Sequence, residues 1–451
     1  MAQTLMDVFY SLGSCVCCFP STPQLKINHR SFRMLRLLGE GGFSYVYLVQ
    51  DTSDSTLYAL KKIRCPFGQE SVSQALKEVE AYTLFAPHPN IIHSIDHAVQ
   101  NDSSTKVSGI GNDSSSSSKT VYILLPYYRR GNLQDMINAN LVNHTRFGER
   151  RLMQMMLGVC KALKAMHQYH VRNTPSRAAA QAIREEAANE DADAARRKAQ
   201  SRTQKRSMTA DETHQQDLAT EQEQPLMPEG EITRAQEGKE PGDTRAYAHR
   251  DIKPGNIMIS DDGRMPILMD LGSLAPSPTP ITSRSQAIAV QDIAAEHSTM
   301  PYRAPELFDV KTGSVIDTKV DIWSLGCTMY ACLVGKSPFE ARSDETGGSL
   351  SICVLSGDWR WPGEGNANKG KAPSRSNTQQ SVANGAAAAP EPTNPGDRVY
   401  PHPAAREVVR RCLQVEPSER PDVDELMTLI DTCLSELPED DEGGGPSDTD
   451  L

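Results

Sequence analysis

The stretch that most constrains this chain is Tyr247-Ala248-His249-Arg250-Asp251-Ile252-Lys253-Pro254-Gly255-Asn256, followed by Met269-Asp270-Leu271-Gly272. Asp251 supplies a carboxylate that can orient an attacking hydroxyl. Lys253, two residues on, can neutralise charge on a transferring phosphoryl group. Asn256 and Asp270 are hard oxygen donors suited to Mg2+. These are the parts a phosphoryl-transfer site needs, in a recognisable order. A single string of this kind can arise by chance, so the remaining parts must be found elsewhere in the chain.

Upstream, apolar residues alternate through Phe32, Met34 and Leu37, then through Tyr45, Tyr47 and Val49. Between the runs lies Leu38-Gly39-Glu40-Gly41-Gly42-Phe43-Ser44-Tyr45-Val46, which reads as strand, glycine hairpin, strand. Glycines let a backbone close over phosphates and donate N–H groups with no side chain in the way. Leu38, Gly39, Gly41, Gly42 and Val46 are therefore expected around a nucleotide. Ser44 stands where a third glycine would complete G-x-G-x-x-G, and a strand follows rather than a helix, which does not fit a dinucleotide-binding fold. Taken alone, this segment reads equally well as an ordinary tight hairpin.

The next strand, 57–63, carries Ala59-x-Lys61. Lys61 is placed to reach the α- and β-phosphates of ATP, while Ala59 leaves room for adenine. A helix is expected from about Ser71 to Phe85, with Glu78 facing Lys61 and Glu80 facing elsewhere. The strand 120–125 leads into Pro126-Tyr127-Tyr128, where backbone groups would bond adenine with Leu125 at the back of the pocket. Leu152, Met156, Val159, Leu163 and Met166 mark a helix buried along one stripe. Residues 287–295 read as helix, Thr299 as a hydroxyl beside Asp251 and Lys253, and Asp321 as a brace under the catalytic loop. Glu306 and Arg420 are expected to form a buried structural pair. Ser277-Pro278 and Thr279-Pro280 read either as phosphorylatable sites or as loop punctuation.

The chain has 451 residues and 38% hydrophobic content, low for a fully globular chain of this size. Three polar stretches account for the dilution: a serine-rich loop at 101–119, a charged segment at 168–246, and an Asn/Ser/Ala-rich segment at 363–397. The second reads as a disordered insertion or a docking element. A kinase-like domain is expected over 30–435, with an acidic tail at 436–451. The net charge of −11 argues against general nucleic-acid affinity. Ten cysteines form no regular disulfide or CxxC framework, and there is no secretory signal, which fits a reducing compartment. No apolar run approaches the roughly 18 residues of a membrane span. Cys15, Cys17 and Cys18 sit among apolar residues in the N-terminal segment, 1–29, and read as acylation sites, with zinc binding or unmodified cysteines as the rival readings. Ala2 excludes N-myristoylation. One acyl chain anchors weakly, whereas two or more hold firmly.

Together, LGEGGFSYVYLV, YALKK, LKEVEAYTLF, HPNII, LLPYYRRGNL, YAHRDIKPGNIM, LMDLGS, YRAPELF and DIWSLGC resemble the Numb-associated kinase family over about residues 30 to 435. The resemblance runs to its myristoylated-and-palmitoylated branch and a related fungal vacuolar-membrane form. It implies an α+β, bilobal protein-kinase fold: a small five-stranded antiparallel N-lobe with one helix and a larger helical C-lobe. It implies Asp251 as catalytic base, Lys253 stabilising the phosphoryl group, Asn256 and Asp270 binding Mg2+ (or Mn2+), and Lys61 with Glu78 positioning ATP. Tyr127 and Met258 join the adenine site. Serine/threonine transfer to protein substrates with autophosphorylation is implied. So is attachment through acylated cysteines to the cytoplasmic face of an endomembrane, vacuolar or alternatively Golgi. A catalytically weak scaffold on the same fold is the alternative; degraded catalytic residues would be its signature, and Lys61, Asp251, Asn256 and Asp270 are intact.

Overall fold

In a computed structural model, residues 24–42, 44–67, 69–101, 119–170, 244–363 and 401–439 are described. Cys15, Cys17 and Cys18, nearly all of the three expected insertions and most of the acidic tail lie outside them. The chain divides into two compact units, residues 1–169 with 246–451, and residues 170–245. Of the second unit, residues 170, 244 and 245 are described. Both lobes of the fold are built from the first.

The small lobe is built on β1 (Gln24–Ile27), β2 (Arg30–Glu40), β3 (Ser44–Asp51), β4 (Leu57–Cys65), β5 (Asp96–Asn101) and β6 (Lys119–Pro126), with α1 (Gln69–Leu84) between β4 and β5. They form one antiparallel sheet in the order β1-β2-β3-β4-β6-β5. The sheet thus has six strands where five were expected. The extra strand, β1, precedes residue 30 and turns back through Asn28, at φ +50°, so that Leu25 pairs with Phe32 and Ile27 with Arg30. Side chains alternate across a strand. One face packs Ile27, Phe32, Val49, Leu60, Tyr122 and Leu124 into a core of its own. The other carries Ala59 and Lys61 beside their cross-strand partners Leu125 and Ile123, towards α1 and the main core. Gln100 Nε2 donates to Lys26 O at 2.7 Å, and Asn28 Nδ2 to Asp96 Oδ1 at 2.8 Å. These bonds tie the sheet's two edge strands and blunt both edges.

The large lobe follows with α2 (Leu133–Asn143) and α3 (Glu149–His167), then β7 (Tyr169–His170), β8 (Thr244–Ala248), β9 (Ile257–Ile259), β10 (Pro266–Leu268), β11 (Ala275–Ser277) and β12 (Thr279–Pro280). After these come α4 (Arg284–His297), β13 (Val315–Ile316), α5 (Lys319–Val334), α6 (Pro338–Thr346), α7 (Leu350–Ser356), α8 (Pro403–Cys412) and α9 (Val423–Glu436). Local chemistry starts these helices. Asn132 with Asp135, Ser337 with Glu340 and Asp422 with Glu425 are reciprocal capping boxes, and Ser283 caps α4. α5 is buried without a break from Val320 to Leu333, as expected of a helix apolar all round at the centre of a lobe. Its Gly326 is required by packing, since a Cβ there would lie 2.6 Å from Cys412 Cβ of α8. The buried surface of α3 is wider than one stripe, because Met153, Met155 and Cys160 are covered as well.

Where the chain re-enters at 246, Ala246–Ala248 pair with Ala275–Ser277. The rings of Phe85, Tyr169 and Tyr247 meet edge to face at 5.6–5.9 Å, so the helix exit and the catalytic-loop entry share one aromatic cluster. Arg420 is 1% exposed and donates to both oxygens of Glu306, at 2.7 and 2.9 Å, and to the carbonyls of Gln414, Val415 and Lys319. Removing the guanidinium strands a largely buried carboxylate, which typically costs about 3–5 kcal/mol. Arg420→Met is expected to lower the urea midpoint accordingly, while Arg420→Lys recovers only part of the loss; an unchanged midpoint in Arg420→Met would show the pair contributes nothing.

Candidate active site

Asp321 is fully buried under the loop that carries Asp251. Its carboxylate accepts from His249 N (2.8 Å), Arg250 N (2.8 Å) and His167 Nε2 (2.9 Å). Burial pushes its pKa up, but the donors around it, His167 foremost, outweigh burial and hold it below the usual carboxylate range. The backbone it grips is strained: Arg250 sits at φ +68°, and Asp270 across the site at +61°. Non-glycine residues tolerate such angles only where surrounding contacts impose them. His249 locks the two segments together. Its Nδ1 accepts from Asp251 N at 3.3 Å, so Nε2 carries the hydrogen and donates to Met269 O at 3.0 Å.

Asp251 is thereby turned into a cleft with both carboxylate oxygens engaged. Oδ1 accepts from Thr299 N (3.0 Å) and Thr299 Oγ1 (2.8 Å). Oδ2 accepts from Lys253 Nζ (2.7 Å) and Asn256 Nδ2 (3.0 Å). Lys253 Nζ also donates to Thr299 Oγ1 at 2.6 Å. An aliphatic hydroxyl thus fits between the carboxylate and the ammonium.

Across the cleft, Lys61 on β4 donates to Glu78 Oε1 (2.7 Å) and Asp270 Oδ1 (2.9 Å). Tyr82, one helical turn after Glu78, donates to the same Oε1 at 2.6 Å, while Glu80 is exposed. Burial pulls the Lys61 pKa down, but the two carboxylates more than offset it and hold the ammonium above its usual range. Asp270 is held down at about 2, chiefly by the Lys61 charge. The 540 Å³ cleft is lined by Gly41, Gly42, Lys61, Glu78, Asp251, Lys253, Asp270 and Thr299, among others. The two ammoniums and three carboxylates named here leave one net negative charge.

The remaining expected residues lie on the neighbouring strands and outside that lining. Ala59 is the cross-strand partner of Leu125, and Gly39 of Val46, which in turn faces Lys61. Leu38 is skipped in the β2–β3 pairing. Tyr127 follows β6 and receives a long 3.4 Å bond from Arg36, and Met258 on β9 bridges to Asn132. Added Cβ atoms at Gly39 and Gly42 would meet no protein atom within 4 Å, so internal packing does not account for these glycines.

A divalent cation fits the donors present. Both bonds from Asn256 use Nδ2, to Asp251 O and Oδ2, which leaves its Oδ1 available as one hard ligand, and the Asp270 carboxylate offers another. Among the described residues, no group of three His, Cys, Asp or Glu side chains forms a metal site by itself. Mg2+ seldom requires one, since it commonly takes one or two protein oxygens and completes its shell with phosphate and water.

Two contributors carry no signal of their role in the sequence. Buried Arg303 donates from Nε to Ser298 Oγ (2.7 Å) and from a terminal nitrogen to Ser298 O (2.9 Å), clamping the residue before Thr299. His167, the last residue of α3, donates to Asp321. Arg303 lies within the YRAPELF string, but nothing in its spacing identifies its partner.

A protein kinase domain model matches residues 32–173 and 244–429. The chain is 32% identical to serine/threonine-protein kinase ENV7 of Saccharomyces cerevisiae, over 95% of this chain and 99% of the yeast one. It is 30% identical to serine/threonine-protein kinase ppk13 of Schizosaccharomyces pombe, over 91% and 92% of the two chains. It is 28% identical to human serine/threonine-protein kinase 16, over 75% and 80%. With this match over most of its length, the chain belongs to the protein kinase family and is a serine/threonine protein kinase.

Proposed function

We propose that this kinase transfers the ATP γ-phosphate to serine and threonine hydroxyls with Asp251 orienting the acceptor and taking its proton. The observation that carries this reading is Thr299 Oγ1 lying 2.8 Å from Asp251 Oδ1 and 2.6 Å from Lys253 Nζ. A substrate hydroxyl replacing that contact would meet the carboxylate and the ammonium together. Lys253 would offset charge on the phosphoryl oxygens, and Lys61, held by Glu78, would fix the α- and β-phosphates. Leu38, Gly39, Gly41, Gly42, Val46, Ala59, Leu125, Tyr127 and Met258 would enclose the nucleotide. Mg2+ bound by Asn256 and Asp270 would neutralise phosphate charge. The work left to the protein is positioning and charge stabilisation.

Within the kinases, the motif strings support membership of the Numb-associated family. The Cys15, Cys17 and Cys18 cluster with Ala2 supports attachment by S-acylation to an endomembrane, vacuolar or Golgi. Among the described residues, no helix is long and apolar enough to cross a membrane.

Asp251→Asn is expected to lower turnover on a serine/threonine protein substrate by roughly 10²–10⁴-fold with an unchanged melting profile. Equal transfer by both proteins sinks the assignment. Asp270→Asn is expected to raise the Mg2+ concentration for half-maximal activity by roughly tenfold or more. With its folded pKa depressed to about 2, Asp270 stabilises the fold fully above the unfolded carboxylate value near about 4, and this is lost only as pH falls through about 2. Its charge is therefore constant near neutrality, and the Mg2+ requirement of the wild type should be flat between about pH 7.5 and 9, above the range where a terminal phosphate (second pKa about 6) itself titrates. A shift in that requirement across this range would contradict the ionised carboxylate. Replacing Cys15, Cys17 and Cys18 with Ser is expected to move the protein from membrane to soluble fractions, and unaltered fractionation refutes the anchor.

A further inference from the structure

We propose that the exposed cations at the β1–β2 edge of the small-lobe sheet form a docking surface for anionic lipid, working beside the acyl chains. Residues 8–39 contain four Lys or Arg and neither Asp nor Glu, in a chain of net charge −11. The fold gathers three of these cations on one side. Lys26 pairs across the strands with Ser31, and Ser31 and Arg33 lie on the same face of β2. Continued alternation would send Arg36 to the opposite face. The register slips between Met34 and Arg36, however, leaving Leu35 as the extra residue of a bulge. Arg33 then opposes Gln50 and Arg36 opposes Leu48, two positions on one face of β3. Lys26, Arg33 and Arg36 thus share the sheet face opposite the small-lobe core, the face that carries Ala59 two strands further in, and they stand at its β1–β2 edge, with Leu35 (38% exposed) between the last two.

Their charges are available. Arg33 donates to Gln50 Oε1 and Arg36 to the Tyr127 hydroxyl, both neutral acceptors. Among the described residues, none of the three cations has an ion-pair partner. The fourth, Arg30, differs: it lies over the Phe32 and Tyr58 rings on the core side and is neutralised by Asp51 at 2.7 Å.

The choice of a lipid surface over another polyanion rests on the proposed acylation of the N-terminal cysteines. Cys18 is six residues from Gln24, a covalent reach of at most about 20 Å. Acyl chains at Cys15, Cys17 and Cys18 would hold this face within reach of lipid headgroups. A polybasic surface is the second signal that makes acyl anchoring firm, and each Lys or Arg near an anionic leaflet strengthens binding by about fivefold.

Non-acylated full-length protein separates this surface from the anchor. We expect it to sediment with phosphatidylcholine vesicles containing about one-third phosphatidylserine but not with phosphatidylcholine alone, and to be released by salt as screening shortens. Changing Lys26, Arg33 and Arg36 together to Gln should weaken that binding on the order of a hundredfold. The same number of changes at exposed Lys311, Arg410 and Arg411 should leave it intact, with melting profiles confirming that both variants fold. Equal sedimentation with the two vesicle types, equal binding by the two variants, or preferential binding to a single-stranded RNA would overturn the proposal. Loss of membrane fractionation in the cysteine variant with no vesicle binding here would retain the anchor and reject the surface.

Discussion

The buried carboxylate of Asp321 is the constraint on which the site depends. An isolated charge in that position would be prohibitively costly, so it must be satisfied by donors, and the donors it finds are the backbone of the catalytic loop and His167. Gripping two consecutive N–H groups, it imposes the positive φ of Arg250 and so aims Asp251 into the cleft. His249 extends the constraint to Met269, next to Asp270, so the two halves of the phosphate site are set by one hydrogen-bonded unit. Such networks are worth more satisfied than the sum of their bonds and are costly when broken.

A second unit holds the acceptor side. Arg303 clamps Ser298 at the end of α4, Thr299 reaches Asp251, and Glu306 closes onto Arg420 beneath. The segment from 298 to 306 is thus tied at both ends to buried guanidiniums whose planar forks suit several acceptors at once. The cleft lined by Lys61, Glu78, Asp251, Lys253 and Asp270 concentrates opposite charges. Its central carboxylates outnumber its ammoniums by one, which suits a metal-bound phosphate better than a bare anion.

Much of this is legible in the sequence because short strings carry their own geometry. Asp251, Lys253 and Asn256 lie within six positions, so their convergence on one carboxylate follows from a tight loop. Ala59 and Lys61, two apart on a strand, had to share a face. The Glu78 assignment needed only helix periodicity. Less is legible where the partner is distant in sequence and unremarkable in type. Arg303 and His167 could have bonded many groups, and β1, with four residues, is too short to announce itself by alternation. The bulge at Leu35 is invisible for a related reason: a one-residue slip in pairing is a property of two strands, not of one.

The sequence by itself determined the chemistry: a glycine hairpin, an Ala-x-Lys strand, HRDIKPGN and DLG in an order that admits phosphoryl transfer, because those side chains have few other uses together. Tertiary structure alone decided the rest. It set Arg303 against Ser298, closed the small-lobe sheet with a sixth strand, and turned Lys26, Arg33 and Arg36 to one side. Each of these depends on contacts between segments whose spacing in the chain says nothing about their distance in space, and such contacts are selected only when the whole core packs.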